Sequence, residues 1–236
     1  MRAGPGAAAR RAARESLPRR RARAAAVVQG LRRLYPDADC ELTHGSALEL
    51  LVATILSAQC TDVRVNQVTP ALFRRFPTAA DFAQAPPGEL EDLIRSTGFF
   101  RSKAKSIRAM AAALVATHGG EVPSTMEGLT ALAGVGRKTA HVVRGTWFGL
   151  PAITVDTHVG RLARRLGLTL HDDPGKVEAD LAAVLPEADR TFTSHALIWH
   201  GRRVCGARRP RCSACALAEI CPSATTHVIE TAAQDD

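Results

Sequence analysis

Apolar residues recur at intervals of three and four along most of the chain, and no stretch alternates them between hairpin turns. That period turns one stripe of each segment inward as a helix and excludes a core built from sheets. Leu50, Leu51, Ile55 and Leu56 follow Ser46-Ala-Leu-Glu49, which has the form of a capping box. Pro86-Pro87-Gly88 precedes Glu89-Leu-Glu-Asp-Leu-Ile94, whose early acids suit the positive end of a helix dipole. Ile107, Met110, Ala111 and Leu114 mark a helix over Ala104 to Val115, and Ser124-Thr-Met-Glu127 reads as a second capping box before Leu129 and Leu132. Val159, Leu162 and Leu166 mark another helix, and Val177, Leu181 and Leu185 one more. The expected fold class is all-α. Aromatics are only 4% of the residues, so the core falls to Ala, Leu, Val and Ile.

The length, 236 residues, accommodates one large domain or two small ones. The longest strongly apolar run, Leu50 to Leu56, falls far short of the roughly 20 residues that cross a bilayer. No membrane role is expected, and cytoplasmic residence is. Charge is placed unevenly. Residues 1–23 hold eight arginines against the single acid Glu15, leaving a net charge of only +1 on the other residues. This arm, rich in Ala, Arg, Gly and Pro, is expected to be a disordered basic tail. It lacks the apolar stretch of a secretory signal, while its Arg-rich, acid-poor character also suits an organelle transit peptide. Ser223 to Asp236, polar and without apolar pattern, is expected to be a loose tail.

Cysteine placement adds a chemical constraint. Cys40 and Cys60 stand alone, whereas Cys205, Cys212, Cys215 and Cys221 fall within 17 residues, spaced C-x6-C-x2-C-x5-C. A small disulfide-stapled secreted protein scatters its cysteines. A local set of four points to a reducing compartment and one metal site. Thiolates suit zinc and iron–sulfur clusters alike, and this spacing matches neither a paired zinc ribbon nor the bacterial ferredoxin run. Arg208, Arg209 and Arg211 lie between the first two cysteines. A metal-anchored loop with three cations suits phosphate contact; solvated surface charge is the plainer account.

Leu132-Ala-Gly-Val-Gly-Arg-Lys-Thr-Ala140 joins two helical segments. Gly134 and Gly136 flank Val135 in a helix–hairpin–helix turn whose amides open the next helix, an anion-binding arrangement. A glycine cap between two packed helices accounts for the same letters. It is not a phosphate-binding P-loop, whose Gly-x4-Gly-Lys spacing is absent. Lys138 lies in the first turn of the second helix, where the dipole disfavours a cation. An amine there gives up its proton more readily, which makes Lys138 a candidate nucleophile; a solvated or phosphate-binding Lys is the plainer reading. Asp156, in Val155-Asp-Thr-His158, precedes a helix and is either an N-cap or a partner of Lys138.

In this order and spacing, these three motifs resemble the bacterial endonuclease III family of helix–hairpin–helix, iron–sulfur DNA glycosylases. LSAQCTDVRVN from Leu56, TGFFRSKA from Thr97 and LIWHGRRVC from Leu197 agree, so the resemblance spans about residues 24 to 222. Ala133 departs from the family's proline and leaves both glycines in place. The resemblance implies a six-helix barrel over 40–150 and a [4Fe–4S] domain built from 24–39 and 151–222, with a DNA cleft between them. It further implies that Gln59 fills the space left by a flipped base, with Phe99 as a second wedge, and that Lys138 and Asp156 are catalytic. The implied enzyme is a monomeric, nucleoid-associated DNA glycosylase and abasic-site lyase. It would excise oxidised pyrimidines from double-stranded DNA and cleave 3′ to the abasic site through a Schiff base.

Three other readings share parts of this pattern. A monofunctional mismatch glycosylase typically lacks the hairpin lysine, which Lys138 argues against. A non-catalytic DNA-binding or redox protein would show no strand cleavage. A zinc module would be colourless where an iron–sulfur protein is brown.

Overall fold

The computed structural model describes residues 6–224, and they divide into two compact units, one of residues 40–150 and one of the flanking 6–39 and 151–224. The expected class holds: the described residues are helical, with one isolated β-bridge between Cys205 and Pro210.

The chain opens with α1 (Ala7–Ala13) and α2 (Leu17–Leu34). The disordered tail expected for residues 1–23 is therefore corrected for residues 6–23, while residues 1–5 lie outside the described ones. Ala and Arg are strong helix formers, and the alanines do the packing. Ala9, Ala12 and Ala13 are buried, with Ala12 approaching the bare α-carbon of Gly167, where a Cβ would lie 2.7 Å from its own. Arg23 closes the arm, donating to Ala12 O at 3.2 Å and Gly167 O at 2.9 Å and pairing with Glu15.

The continuous unit runs through α3 (Ala47–Leu56), α4 (Asp62–Arg75), α5 (Ala79–Ala83), α6 (Glu89–Ile94), α7 (Phe100–His118), α8 (Met126–Thr130) and α9 (Arg137–Thr146). These are seven α-helices where the resemblance implies six, three of them only five or six residues long. Ser46 caps α3 by accepting from Glu49 N at 3.1 Å. The second capping box does not form, and a single side-chain cap one residue later replaces it. Thr125, not Ser124, caps α8 by accepting from Gly128 N, and Gly128 leaves room for the hydroxyl because a Cβ there would sit 2.9 Å from it. Ile107, Met110 and Leu114 on α7 are fully buried among Leu50, Leu72 and Phe82. Such side chains contribute about 1.5–3 kcal/mol each on burial.

The flanking unit resumes with α10 (Thr157–Arg165), α11 (Pro174–Val184) and α12 (Arg190–Arg203). Val27 and Leu31 of α2 join Leu162, Leu181 and Leu197 in its core. Ser223 and Ala224, expected in a loose tail, are buried, and Ser223 donates to Arg165 O at 2.8 Å; the remaining tail residues lie outside the described ones. Among the described residues, no helix is long and apolar enough to cross a membrane.

Candidate active site

The hairpin between α8 and α9 depends on Gly134. Its φ of +76° lies in the left-handed region, and a Cβ there would come 2.8 Å from the Ser106 Cβ. Ala at that position would meet both strain and a clash. Gly136 is the N-cap of α9, and the next amides, which have no acceptor inside the helix, point out of its start. Val135 lies between these two glycines. Its side chain is 6% exposed within the core and its amide donates to Leu132 O at 3.1 Å inside the turn. Lys138, the second residue of α9, is exposed.

Asp156 lies in the other unit. It is half-buried and caps α10, its Oδ1 accepting from Val159 N at 2.8 Å. One turn on, Arg161 donates to Gly201 O and Cys205 O, each at 3.0 Å. Arg165, 7% exposed, donates to Cys205 Sγ at 3.1 Å, Gly206 O at 2.7 Å and Ala207 O at 2.8 Å. One short helix thus presents the carboxylate at its start and grips the cysteine loop further along.

Cys205, Cys212, Cys215 and Cys221 wall a single cavity with Leu162, Leu166, His200 and Leu217. Burial pushes the Cys221 thiol up to about 11; Cys212 and Cys215 also rise, by burial first and then by the neighbouring thiols. Those three thiols resist ionising without a cationic centre to take them. Burial also lowers His200 to about 4, so its imidazole is neutral. A consistent tautomer has Tyr35 Oη donating to Nδ1 at 3.0 Å and Nε2–H donating toward Cys215 Sγ at 3.4 Å. Among the described residues, no three His, Cys, Asp or Glu groups converge within reach of a single ion. In the loop, Arg208, Arg209 and Arg211 are all exposed, and Arg211 also donates to Arg203 O. Gln59 and Phe99 are exposed and share a rare backbone, with φ of +53° and +48°.

Sequence reasoning passes over Arg161, Arg165, His200 and Lys103. The two arginines are spaced i, i+4 on an amphipathic helix, a signal open to reading. His200 and Lys103 give none, because Tyr35 and Leu56 are remote in sequence and the Lys103 partners are carbonyls, which every residue has.

Residues 52–187 match the family model for the HhH-GPD superfamily base excision DNA repair proteins. Endonuclease III of Synechocystis sp. is 53% identical over 86% of this chain and 93% of its own. The chain belongs to the endonuclease III family. Endonuclease III of Escherichia coli is 40% identical over 83% of this chain and 92% of its own. A solved structure of a trapped endonuclease III–DNA covalent intermediate has a TM-score of 0.83 at 41% identity, over 88% of this chain and 98% of that one. A thermostable thymine-DNA glycosylase shares the fold, with a TM-score of 0.78 at 20% identity over 90% of this chain and all of that one. As an endonuclease III homologue, the protein is a DNA glycosylase and abasic-site lyase of base excision repair that binds DNA.

Proposed function

We propose that this enzyme excises oxidised pyrimidines from duplex DNA as a monomer in the bacterial cytoplasm, at the nucleoid, and cleaves the strand through Lys138. The observation carrying this reading is the exposed amine one residue into α9, directly after the glycine hairpin. The neutral amine attacks C1′ of the lesion nucleotide. The C1′–N bond breaks with its electron pair leaving on the base, which is protonated. Ring opening at O4′ gives an imine between Lys138 and C1′. The imine acidifies the C2′ proton; its loss expels the 3′ phosphate as the C3′–O bond breaks. Asp156 stabilises positive charge on the sugar as the base departs or takes a proton from the nucleophile. A relative trapped as a covalent DNA intermediate supports the nucleophilic route. Gln59 and Phe99 fill the space of the extruded base. Amides at the start of α9, with Arg208 and Arg209, hold phosphates.

Cys205, Cys212, Cys215 and Cys221 fit a [4Fe–4S] cluster. Four sulfurs around the wall of one cavity suit a group whose own atoms span the space between them, and family membership supports it. When bound, the cluster supplies four iron–thiolate bonds that cross-link the arginine loop to the end of the chain. Arg165 and His200 donate to two of these sulfurs and orient them.

Borohydride trapping on abasic-site DNA tests the central assignment. Lys138→Gln is expected to bind lesion DNA and give no covalent adduct. Trapping at wild-type yield would place the nucleophile elsewhere.

A further inference from the structure

Lys103 is buried, at 5% exposure, and its partners are backbone carbonyls rather than an acid. Its Nζ donates to Leu56 O and to Thr97 O, each at 2.8 Å. Leu56 is the last residue of α3 and Thr97 ends the 3₁₀ turn Arg95–Thr97. One ammonium therefore caps two helical C-termini, the end at which a cation is favoured. Burial pushes the amine down from its ordinary value, a cost that two charge-assisted bonds offset.

The backbone just beyond each of those carbonyls is unusual. Three residues past Leu56 stands Gln59, and two past Thr97 stands Phe99. They are the only non-glycine residues with positive φ among the described ones. A left-handed backbone costs an L-residue roughly 1–2 kcal/mol and is a true outlier for a bulky ring. Such strain persists only where the surroundings hold it, and it gathers where a side chain must be aimed. Phe99 is 65% exposed, so packing of its own ring does not supply the restraint. The side-chain tie on this loop is the Lys103 ammonium on Thr97 O, two residues before Phe99; the Lys103 amide donates to Phe99 O at 3.0 Å only as the first backbone bond of α7. The two strained loops, 40 residues apart in sequence, share one buried cation.

We infer that Lys103 is a positioning residue that ties the Gln59 and Phe99 loops to one point and so sets the spacing of the two wedges; this rests on reading those residues as the ones that enter the base stack. The bland alternative is a core tie that any buried donor would serve. Lys103 touches neither DNA nor the reacting sugar, so its removal acts on base extrusion and spares the lyase step.

The test uses full-length protein with three readouts: single-turnover excision of thymine glycol from duplex DNA, fluorescence of 2-aminopurine opposite the lesion, and borohydride trapping on a preformed abasic site. Lys103→Met is expected to slow excision by about ten- to a hundred-fold, the worth of one or two bonds from a charged donor. It should also lose the 2-aminopurine rise while trapping as wild type does. Added to Gln59→Ala/Phe99→Ala, it should cause no further loss, because a residue acting through the wedges has nothing left to position. Retention of both excision and the fluorescence rise overturns the inference, as does an equal loss of excision and trapping that adds to the wedge variants. If Gln59→Ala/Phe99→Ala alone leaves excision and fluorescence unchanged, the wedge reading fails and the role of Lys103 falls with it. That pattern is distinct from failure at Lys103 alone. Should Lys103→Met not fold, Lys103→Gln, a shorter neutral donor, carries the same comparison with the same overturning results.

Discussion

Asp156 has one observed job and one proposed one, and a simple deletion confuses them. Its Oδ1 closes the first turn of α10, and the proposed chemistry needs its charge. Asn caps a helix about as well as Asp, whereas Ala forfeits about 1 kcal/mol. Asp156→Asn is therefore expected to melt close to wild type, excise oxidised pyrimidines far more slowly and keep some trapping on preformed abasic sites. Asp156→Ala should lose stability as well. Thermal unfolding beside the two activity assays separates these effects, and wild-type excision by the Asn variant would leave Asp156 a cap alone. At this scale the letters are legible where a role is local, as for the Asp156 cap of α10 and the four cysteines that wall one cavity. It fails for Lys103, whose partners lie 47 and 6 residues away and are carbonyls that every residue possesses. It fails likewise for His200, tied to a tyrosine 165 residues distant.

Among the elements, the α8–α9 hairpin is the one whose geometry leaves least freedom. Gly134 combines a positive φ with Ser106 packed against its α-carbon. Gly134→Ala is expected to cost about 1–3 kcal/mol through backbone strain, with a further loss from the clash. A lower urea midpoint with weaker binding to undamaged duplex would register it; unchanged values would show that the turn relaxes freely. The helices of the continuous unit are legible because each buries a regular apolar stripe, as α7 does with Ile107, Met110 and Leu114. The cap of α8 reads one residue early in the sequence because Ser124 and Thr125 are equally good caps by letter. Only the missing side chain of Gly128 decides between them. The first two helices mislead for a related reason. A run of arginines suggests a solvated tail, and three alanines packing against α10 and Gly167 outweigh it.

Over the whole molecule the positive charge is concentrated on residues 1–23, and seven of their eight arginines lie in the folded arm 6–23, so the two basic regions are best tested apart. Replacing Arg208 and Arg209 by Ala is expected to flatten the salt dependence of duplex binding by up to about 0.9 in log–log slope for each phosphate no longer neutralised. An unchanged slope would mark them as solvated. Deleting the arm is a poor control, since Ala9, Ala12, Ala13 and Arg23 belong to the flanking unit's packing; changing the exposed Arg10, Arg11 and Arg14 to Gln is the cleaner one. The division of the chain carries a consequence for its biogenesis. Residues 40–150 form one uninterrupted unit, while the flanking unit needs both α2 and α12. During synthesis the first has its full complement of residues as soon as Leu150 has cleared the ribosome. The other is left with α1 and α2 waiting for partners, and the four cysteines emerge only after α10, α11 and α12. The cysteines that wall the cavity thus meet α10 and α12 already made, the helices that supply Leu162, Leu166 and His200 to the same wall.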